Sequence, residues 1–258
     1  MASHYARKTG KVDDAVPYLE RAIKESIDNG LVPNNYVFEL GSCYYMKLDW
    51  TKSAEIFEGL ISDDKNEFEL KPFCALHLCS CLLMMDREEE AFALLTRVPS
   101  LVLNKGNRQS KIALARTERI LQKKSAPFIA FEFLYLKRDL AHMEKATLEK
   151  ALEILDQIVQ KVPSSDSDSL AAYHLIKGTI LKLVGRPDEA MVSLDYLIEI
   201  RNTVKVERYS IPFGYWEKGE LLYHKGYVKE AEAAFAAVQA YKGPYDVSHD
   251  FALIPARH

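Results

Sequence analysis

The sequence predicts an all-α protein, a solenoid of helix pairs with an irregular helical middle section. Two observations carry that prediction. The first is a pattern written twice in the second half of the chain: Leu175, Gly178, Leu181, Gly185, Ala190, Leu194, Leu197, and then Tyr215, Gly219, Leu222, Gly226, Ala231, Phe235, Val238. In each, the first glycine stands 7 residues before a second glycine, 12 before an alanine and 16 before a large apolar residue. The second observation is the balance of periodicities, in which helical apolar stripes dominate and strand signals are almost absent.

The same template finds three earlier copies. Ser3, Gly41 and Cys79 take the first small position, Ala15, Ser53 and Ala91 the second, and Leu19, Phe57 and Leu95 the large apolar one. Gly10 falls 7 after Ser3, but the front of that first helix is missing. The first three copies are 38 residues apart and the last two 41, both above the ~34-residue period of the tetratricopeptide repeat, whose spacing this is. The small positions have a physical reason. Antiparallel helices approach to about 8 Å only where small side chains meet, and a large residue then fills the groove opposite.

The elements follow in order. Asp13 begins an apolar stripe of Ala15, Leu19, Ala22 and Ile23, which Asn29-Gly30 and Pro33 end. The next helix carries Phe38, Gly41, Tyr44 and Tyr45 and stops near Asp49, and Thr51 to Ile61 is its partner. A polar turn, Asp63-Asp64-Lys65-Asn66, leads to a helix opened by Pro72, a good first-turn residue. Glu88 to Arg97 closes that pair before Pro99. The 99 residues from Cys79 to Gly178 hold no second clean signature and read as helices over about 107–123, 127–143 and 146–162. The aromatic helix around Phe128, Phe131, Phe133, Leu134 and Tyr135 is expected where the two halves of the array dock. The loop from Pro163 to Ser169 reads as a flexible surface connection, with a phosphorylation site as the sharper alternative. Arg186-Pro187-Asp188 starts a helix that Arg201-Asn202-Thr203 ends, and Ser210-Ile211-Pro212 opens the strongest pair. After Gly243-Pro244 the pattern decays. The expected organisation is 1–105 N-terminal units, 106–162 irregular helices, 163–245 two C-terminal units and 246–258 a tail.

Composition excludes several classes. Across 258 residues, 48% hydrophobic and 28% charged are ordinary globular values, and a net charge of −3 gives no electrostatic reason to expect nucleic acid. The basic run Arg116, Arg119, Lys123, Lys124 reads as a solvated helix face. Cys43, Cys74, Cys79 and Cys81 indicate a reducing compartment. The longest uncharged stretch, Pro72 to Met85, is too short to cross a bilayer as a helix, and no secretory signal opens the chain, so a cytoplasmic protein is expected.

No enzyme chemistry assembles. Cys74, His77 and Cys81 share a helical face, but zinc needs a fourth ligand and a tetrahedral arrangement, so they read as packing residues and no metal is expected. There is no Gly-x-Ser-x-Gly elbow, and Thr9-Gly10-Lys11 lacks the first glycine of a phosphate loop. His174 and His224 read as surface or groove residues. No catalytic residue and no cofactor is expected.

The concave surface of such repeats is lined by the first helix of each pair, three before the glycine and one, four and five after it. Those positions here are Phe38, Ser42, Tyr45 and Met46; Leu76, Ser80, Leu83 and Met84; Leu175, Thr179, Lys182 and Leu183; and Trp216, Glu220, Tyr223 and His224. A clamp for a C-terminal carboxylate would want Lys and Asn at the first two positions, and no unit has them. The expected groove is apolar and aromatic, suited to a protein or peptide partner that supplies an amphipathic helix or apolar strip. The competing expectation is that the chain's own next helix fills it.

Tyr209-Ser210-Ile211-Pro212-Phe213 followed by Gly219-Glu220-Leu221-Leu222-Tyr223 resembles the C-terminal region of the tetratricopeptide repeat protein 39 family, which includes fungal inclusion-body clearance proteins. Leu175-Ile176-Lys177-Gly178 with Leu183-Val184-Gly185-Arg186 resembles the unit before it. The resemblance is specific over about 170–243, with the family's long N-terminal portion absent and the residues from Val247 on departing from its closing helix. It implies a non-catalytic adaptor linked to clearance of aggregated protein and to lipid metabolism. A peripheral lipid-droplet or organelle-surface protein is the rival reading.

Overall fold

The computed structural model describes residues 12–62 and 67–243. The small positions Ser3 and Gly10, the turn at Asp63–Asn66 and the tail from 246 on lie outside the described residues. Among those described there are twelve α-helices, three short 3-10 helices and no strand.

The chain divides into two compact units, 1–147 and 148–258. The first holds α1 (Val12–Asp28), α2 (Asn34–Met46), α3 (Trp50–Ser62), α4 (Lys71–Met84), α5 (Glu88–Arg97), α6 (Arg108–Lys123) and α7 (Ile129–Leu136), with 3-10 turns at Val98–Leu101 and Leu140–His142. The division falls in the first turn of α8 (Lys145–Val159). The second unit continues with α9 (Ser167–Leu183), α10 (Pro187–Glu199), the turn Ile200–Asn202, α11 (Ser210–His224) and α12 (Val228–Ala240). The expected middle section, 106–162, is therefore shared between the two units.

The helix pairs α2/α3, α4/α5, α9/α10 and α11/α12 each pack internally, and the small positions explain how. A Cβ added at Gly178 would meet the Leu194 side chain at 2.8 Å, one at Gly219 the Phe235 ring at 2.6 Å and one at Gly41 the Phe57 ring at 3.0 Å. The large residue 16 positions on thus lies in the space a side chain would need. Ala91, Ala190 and Ala231, at the second small position, are all buried.

One turn links the two helices of every pair. The residue 7 after the first small position has positive φ: Leu48 (58°), Asp86 (57°), Gly185 (85°) and Gly226 (84°). The next N–H returns to the carbonyl five residues back, from Asp49 to Tyr44, Arg87 to Leu82, Arg186 to Leu181 and Tyr227 to Leu222, at 2.8–3.0 Å. This is a left-handed helix cap of the Schellman kind. Glycine takes that conformation without steric penalty in the second unit, whereas leucine and aspartate hold it under strain in the first.

A fifth copy of the turn corrects the middle of the chain. Arg138 has φ 58° and Asp139 N–H reaches Leu134 O at 2.8 Å, so the helix expected over 127–143 is α7, a left-handed cap and a 3-10 turn. An α-helix cannot run through a left-handed residue. The small position of this copy is Phe131, a residue too large for a second helix to close upon, and α8 starts only after an extended Met143. The other two expected helices stand close to place as α6, which Asn107 caps through Gln109 N–H at 2.8 Å, and α8.

Within the stretch Pro163 to Ser169, residues 163–166 form a largely exposed connection and α9 begins at Ser167. Asp166 caps α9 by accepting from Ser169 N–H at 3.0 Å. Asp168 Oδ1 accepts from the backbone N–H groups of Lys205, Val206 and Glu207 at 2.9, 2.7 and 2.9 Å, fixing the approach to α11.

Candidate partner-binding surface

In the first unit the expected groove is occupied by the chain itself. Ser42, Tyr45, Met46, Leu76 and Ser80 are buried, and Phe38 is half-buried. Tyr45 and Ser80 hydroxyls lie 2.7 Å apart, and Tyr45 also donates to Ala130 O at 3.1 Å, at the second residue of α7. Burial pushes the Tyr45 phenol well above its usual pKa, so this is a neutral hydroxyl contact. Lys137, just after α7, donates to Ser42 Oγ at 3.2 Å and sits 5.4 Å from the Phe38 ring centroid.

The His77 ring lies inside an aromatic cluster, stacked on Phe133 at 5.0 Å and close to Phe38, Tyr45 and Phe57. Phe131 meets Trp50 edge-on at 6.1 Å. The aromatic helix expected at a junction of two halves therefore packs within the first unit, over its own groove positions. Leu83 and Met84 keep only partial exposure.

One further expectation changes in this unit. Arg116 is 3% exposed, not part of a solvated face: its guanidinium pairs with Glu132 Oε2 at 3.3 Å and lies 5.4 Å from the Phe133 ring. Cys74, Cys79 and Cys81 are buried packing residues, and burial pushes the Cys79 and Cys81 thiols up to about 12, keeping them protonated at neutral pH. Among the described residues no cluster of His, Cys, Asp and Glu could hold a metal ion.

The second unit differs. Leu175 and Thr179 are buried, and the Thr179 hydroxyl donates back to Leu175 O at 2.9 Å. Leu183, Tyr223 and His224 are exposed, while Lys182, Trp216 and Glu220 are partly exposed. Lys182 Nζ bonds to Glu217 and, at 2.6 Å, to Glu220 across the α9–α11 contact. Burial alone would pull the Lys182 ammonium down, but the two carboxylates outweigh it and hold its pKa above the usual lysine value. Trp216 packs on Phe235 with ring centroids 5.2 Å apart. Tyr227 and Val228, at the start of α12, are also exposed. His174 is half-buried, 3.0 Å from Ser193 Oγ and 4.3 Å from the Tyr196 ring centroid.

Sequence reasoning missed α7 as the occupant of the N-terminal groove. The signal was present: Leu134-Tyr135-Leu136-Lys137-Arg138-Asp139 parallels Tyr44-Tyr45-Met46-Lys47-Leu48-Asp49, the end of the first helix of a pair. A search keyed to a small residue finds the second through Gly41 and passes over the first, whose corresponding position is Phe131.

The model of the Iml2/Tetratricopeptide repeat protein 39 family matches residues 1–184. That stretch overlaps the residues over which the resemblance is specific only at 170–184. Among solved structures, the chain is similar to the nearly identical TPR-like repeats of a kinesin light chain candidate from Podosopora anserina, at 18% identity and TM-score 0.34, covering 80% of this chain and 93% of that one. It is also similar to a tetratricopeptide repeat protein from Parabacteroides merdae, at 12% identity and TM-score 0.37, covering 97% and 94%.

Proposed function

The chain belongs to the Iml2/Tetratricopeptide repeat protein 39 family, and from that premise we propose that it is a non-catalytic adaptor whose second unit holds a partner helix or apolar peptide. The observation behind this reading is the contrast between two sets of equivalent positions. In the first unit Ser42, Tyr45, Met46, Leu76 and Ser80 are buried, with α7 bonded to Tyr45, whereas in the second Leu183, Tyr223 and His224 are exposed and Trp216 is half-buried. Rigid aromatics on an accessible helix face are common binding anchors. The four cysteines, none of them in a disulfide, suit work in a reducing compartment such as the cytoplasm.

The test is affinity capture with the parent chain and a Tyr223→Glu variant, followed by mass spectrometry. A partner that is lost from the variant while its far-ultraviolet circular dichroism is unchanged supports the reading. Identical captured sets overturn it.

A second reading rests on a different patch. Ile27, Leu31, Val32 and Tyr36 are all exposed at the turn between α1 and α2, the kind of apolar cluster that engages a lipid-droplet or organelle surface. No helix among the described residues is long and apolar enough to cross a membrane, so such an attachment is peripheral. Flotation with liposomes in the absence of any partner, abolished in Leu31→Glu, favours this reading. A chain that stays at the bottom of the gradient rules it out.

A further inference from the structure

A cavity of about 370 Å³ lies in the first unit among α3, α4 and α5, apart from every position of the expected groove. Its floor is apolar. Ala54 and Ile61 of α3, Leu78 and Leu82 of α4 and Leu94 of α5 line it, and each keeps only 5–7% exposure. Leu78 and Leu82, with Met85 just past the helix end, stand at i, i+4 and i+7 and so share one helical face. Leu76 and Ser80, the groove positions of the same helix, lie on another. The cavity is therefore built by the second helices of two successive pairs, on a side of α4 that α7 does not need.

The rim is charged, and unevenly so. Thr51 Oγ1 lies 3.6 Å from Met85 Sδ, which sets the start of α3 beside the turn into α5. Toward that end the lining holds Glu55 and Glu58 of α3 with Arg87 and Glu90. Glu90 holds the Arg87 guanidinium through two bonds of 2.7 Å, and Glu58 also acts on that guanidinium through space. The Glu55 carboxylate has no ion pair or hydrogen bond among the described residues. Three carboxylates thus share one cation. At the other end the lining holds Arg97 and Ser62, the last residues of α5 and α3. Residues 49–62 and 86–97 together carry seven carboxylates and three cations, a net charge of −4 against −3 for the whole chain.

We infer that this cavity is a second docking site, one that takes apolar side chains from a basic amphipathic helix of a protein partner. Lys or Arg residues flanking those side chains meet Glu55 and Glu58. Arg97 repels a cation at the opposite end, so the partner helix lies in one direction only, with its basic residues toward the start of α5. An apolar floor inside a charged rim divides the work in the usual way, the floor giving contact and the rim choosing the partner. An acidic segment with the same apolar side chains is rejected by the carboxylate excess. The site shares no residue with the accessible face of the second unit, so either can fail without the other.

The experiment uses the full chain and three synthetic helical peptides of equal length with the same leucine stripe. Their polar faces are all lysine, all glutamine or all glutamate, and binding is measured by calorimetry. The lysine peptide is expected to bind about tenfold more tightly than the glutamine peptide, the scale of two or three partly exposed ion pairs, and the glutamate peptide least. Glu55→Gln with Glu58→Gln is expected to erase the lysine preference without loss of helicity, because both side chains are exposed. Ala93→Trp, which places a ring on the exposed α5 side of the cavity, is expected to abolish binding of all three peptides. Tyr223→Glu is expected to change nothing. A lysine preference that survives the double glutamine variant overturns the proposal, as does equal binding of the three peptides or binding of none. Binding that is lost on Tyr223→Glu and kept on Ala93→Trp also overturns it, and leaves the second unit as the adaptor surface.

Discussion

The hydroxyls of Tyr45 and Ser80 lie 2.7 Å apart on the first helices of two successive pairs, and Tyr45 also donates to Ala130 O of α7. Two positions that a repeat template assigns to an open groove are thereby bonded to each other under a third helix. Tyr45→Phe keeps the ring and leaves the Ala130 carbonyl without this donor, and is expected to cost about 1–3 kcal/mol. A lower urea midpoint with unchanged slope checks it. An unchanged midpoint means that this bond does not hold α7 in place.

Arg116 and Glu132 form a buried ion pair beside the Phe133 ring. Arg116→Met leaves Glu132 without this cation and is expected to cost about 3–5 kcal/mol, whereas Arg116→Met with Glu132→Leu restores most of the loss. Denaturant titration of both variants separates a charge penalty from a packing one, since a packing defect persists in the double variant.

The left-handed turn gives a matched pair of substitutions. Asp86 (φ 57°) is exposed and strained, so Asp86→Gly is expected to stabilise by about 0.5–1 kcal/mol. Gly185 (φ 85°) has open space around its Cβ position, so Gly185→Ala destabilises by about 1 kcal/mol through backbone strain alone. Opposite shifts in melting temperature are the result to look for.

Ala231 is 1% exposed against α11, so Ala231→Glu overpacks the pair and buries an unpaired charge, costing about 3–5 kcal/mol. A melting temperature within a degree of the parent refutes the assigned repeat register.

His174 supplies a pH test. Burial, with Lys177 adding to it, lowers its folded-state pKa from 6.5 to about 4. As pH falls the unfolded chain takes the proton first, so this contribution to stability is complete above about pH 6.5 and is lost on acidification toward pH 4. Carboxylates also titrate in that window, so the readout is the difference between the parent and His174→Gln. That difference is expected to shrink from neutral pH downward, and one that stays flat refutes a buried neutral imidazole.

The paired architecture was legible because it rests on sterics that a spacing records. Gly178 with Leu194 and Gly219 with Phe235 are 16 residues apart in each pair, and helix contact at about 8 Å demands a small residue opposite a large one. Any chain with those intervals and helical periodicity is pushed toward the same packing. The left-handed caps were legible only where glycine marks them. Leu48, Asp86 and Arg138 adopt the same conformation without that mark, because the cap is held by the returned hydrogen bond and not by the residue's own preference.

Which groove positions stay accessible was decided by tertiary structure alone. Tyr45, Ser80 and Trp216 fill equivalent roles in one template, yet α7, which begins 84 residues after Tyr45, covers the first two. The repeat pattern determined which side chains share one face of the first helix of each pair, since that follows from the helical period. Whether another helix then lies on them depends on long-range docking energies spread over Phe131, Phe133, Arg116 and Lys137, and no local spacing encodes that sum.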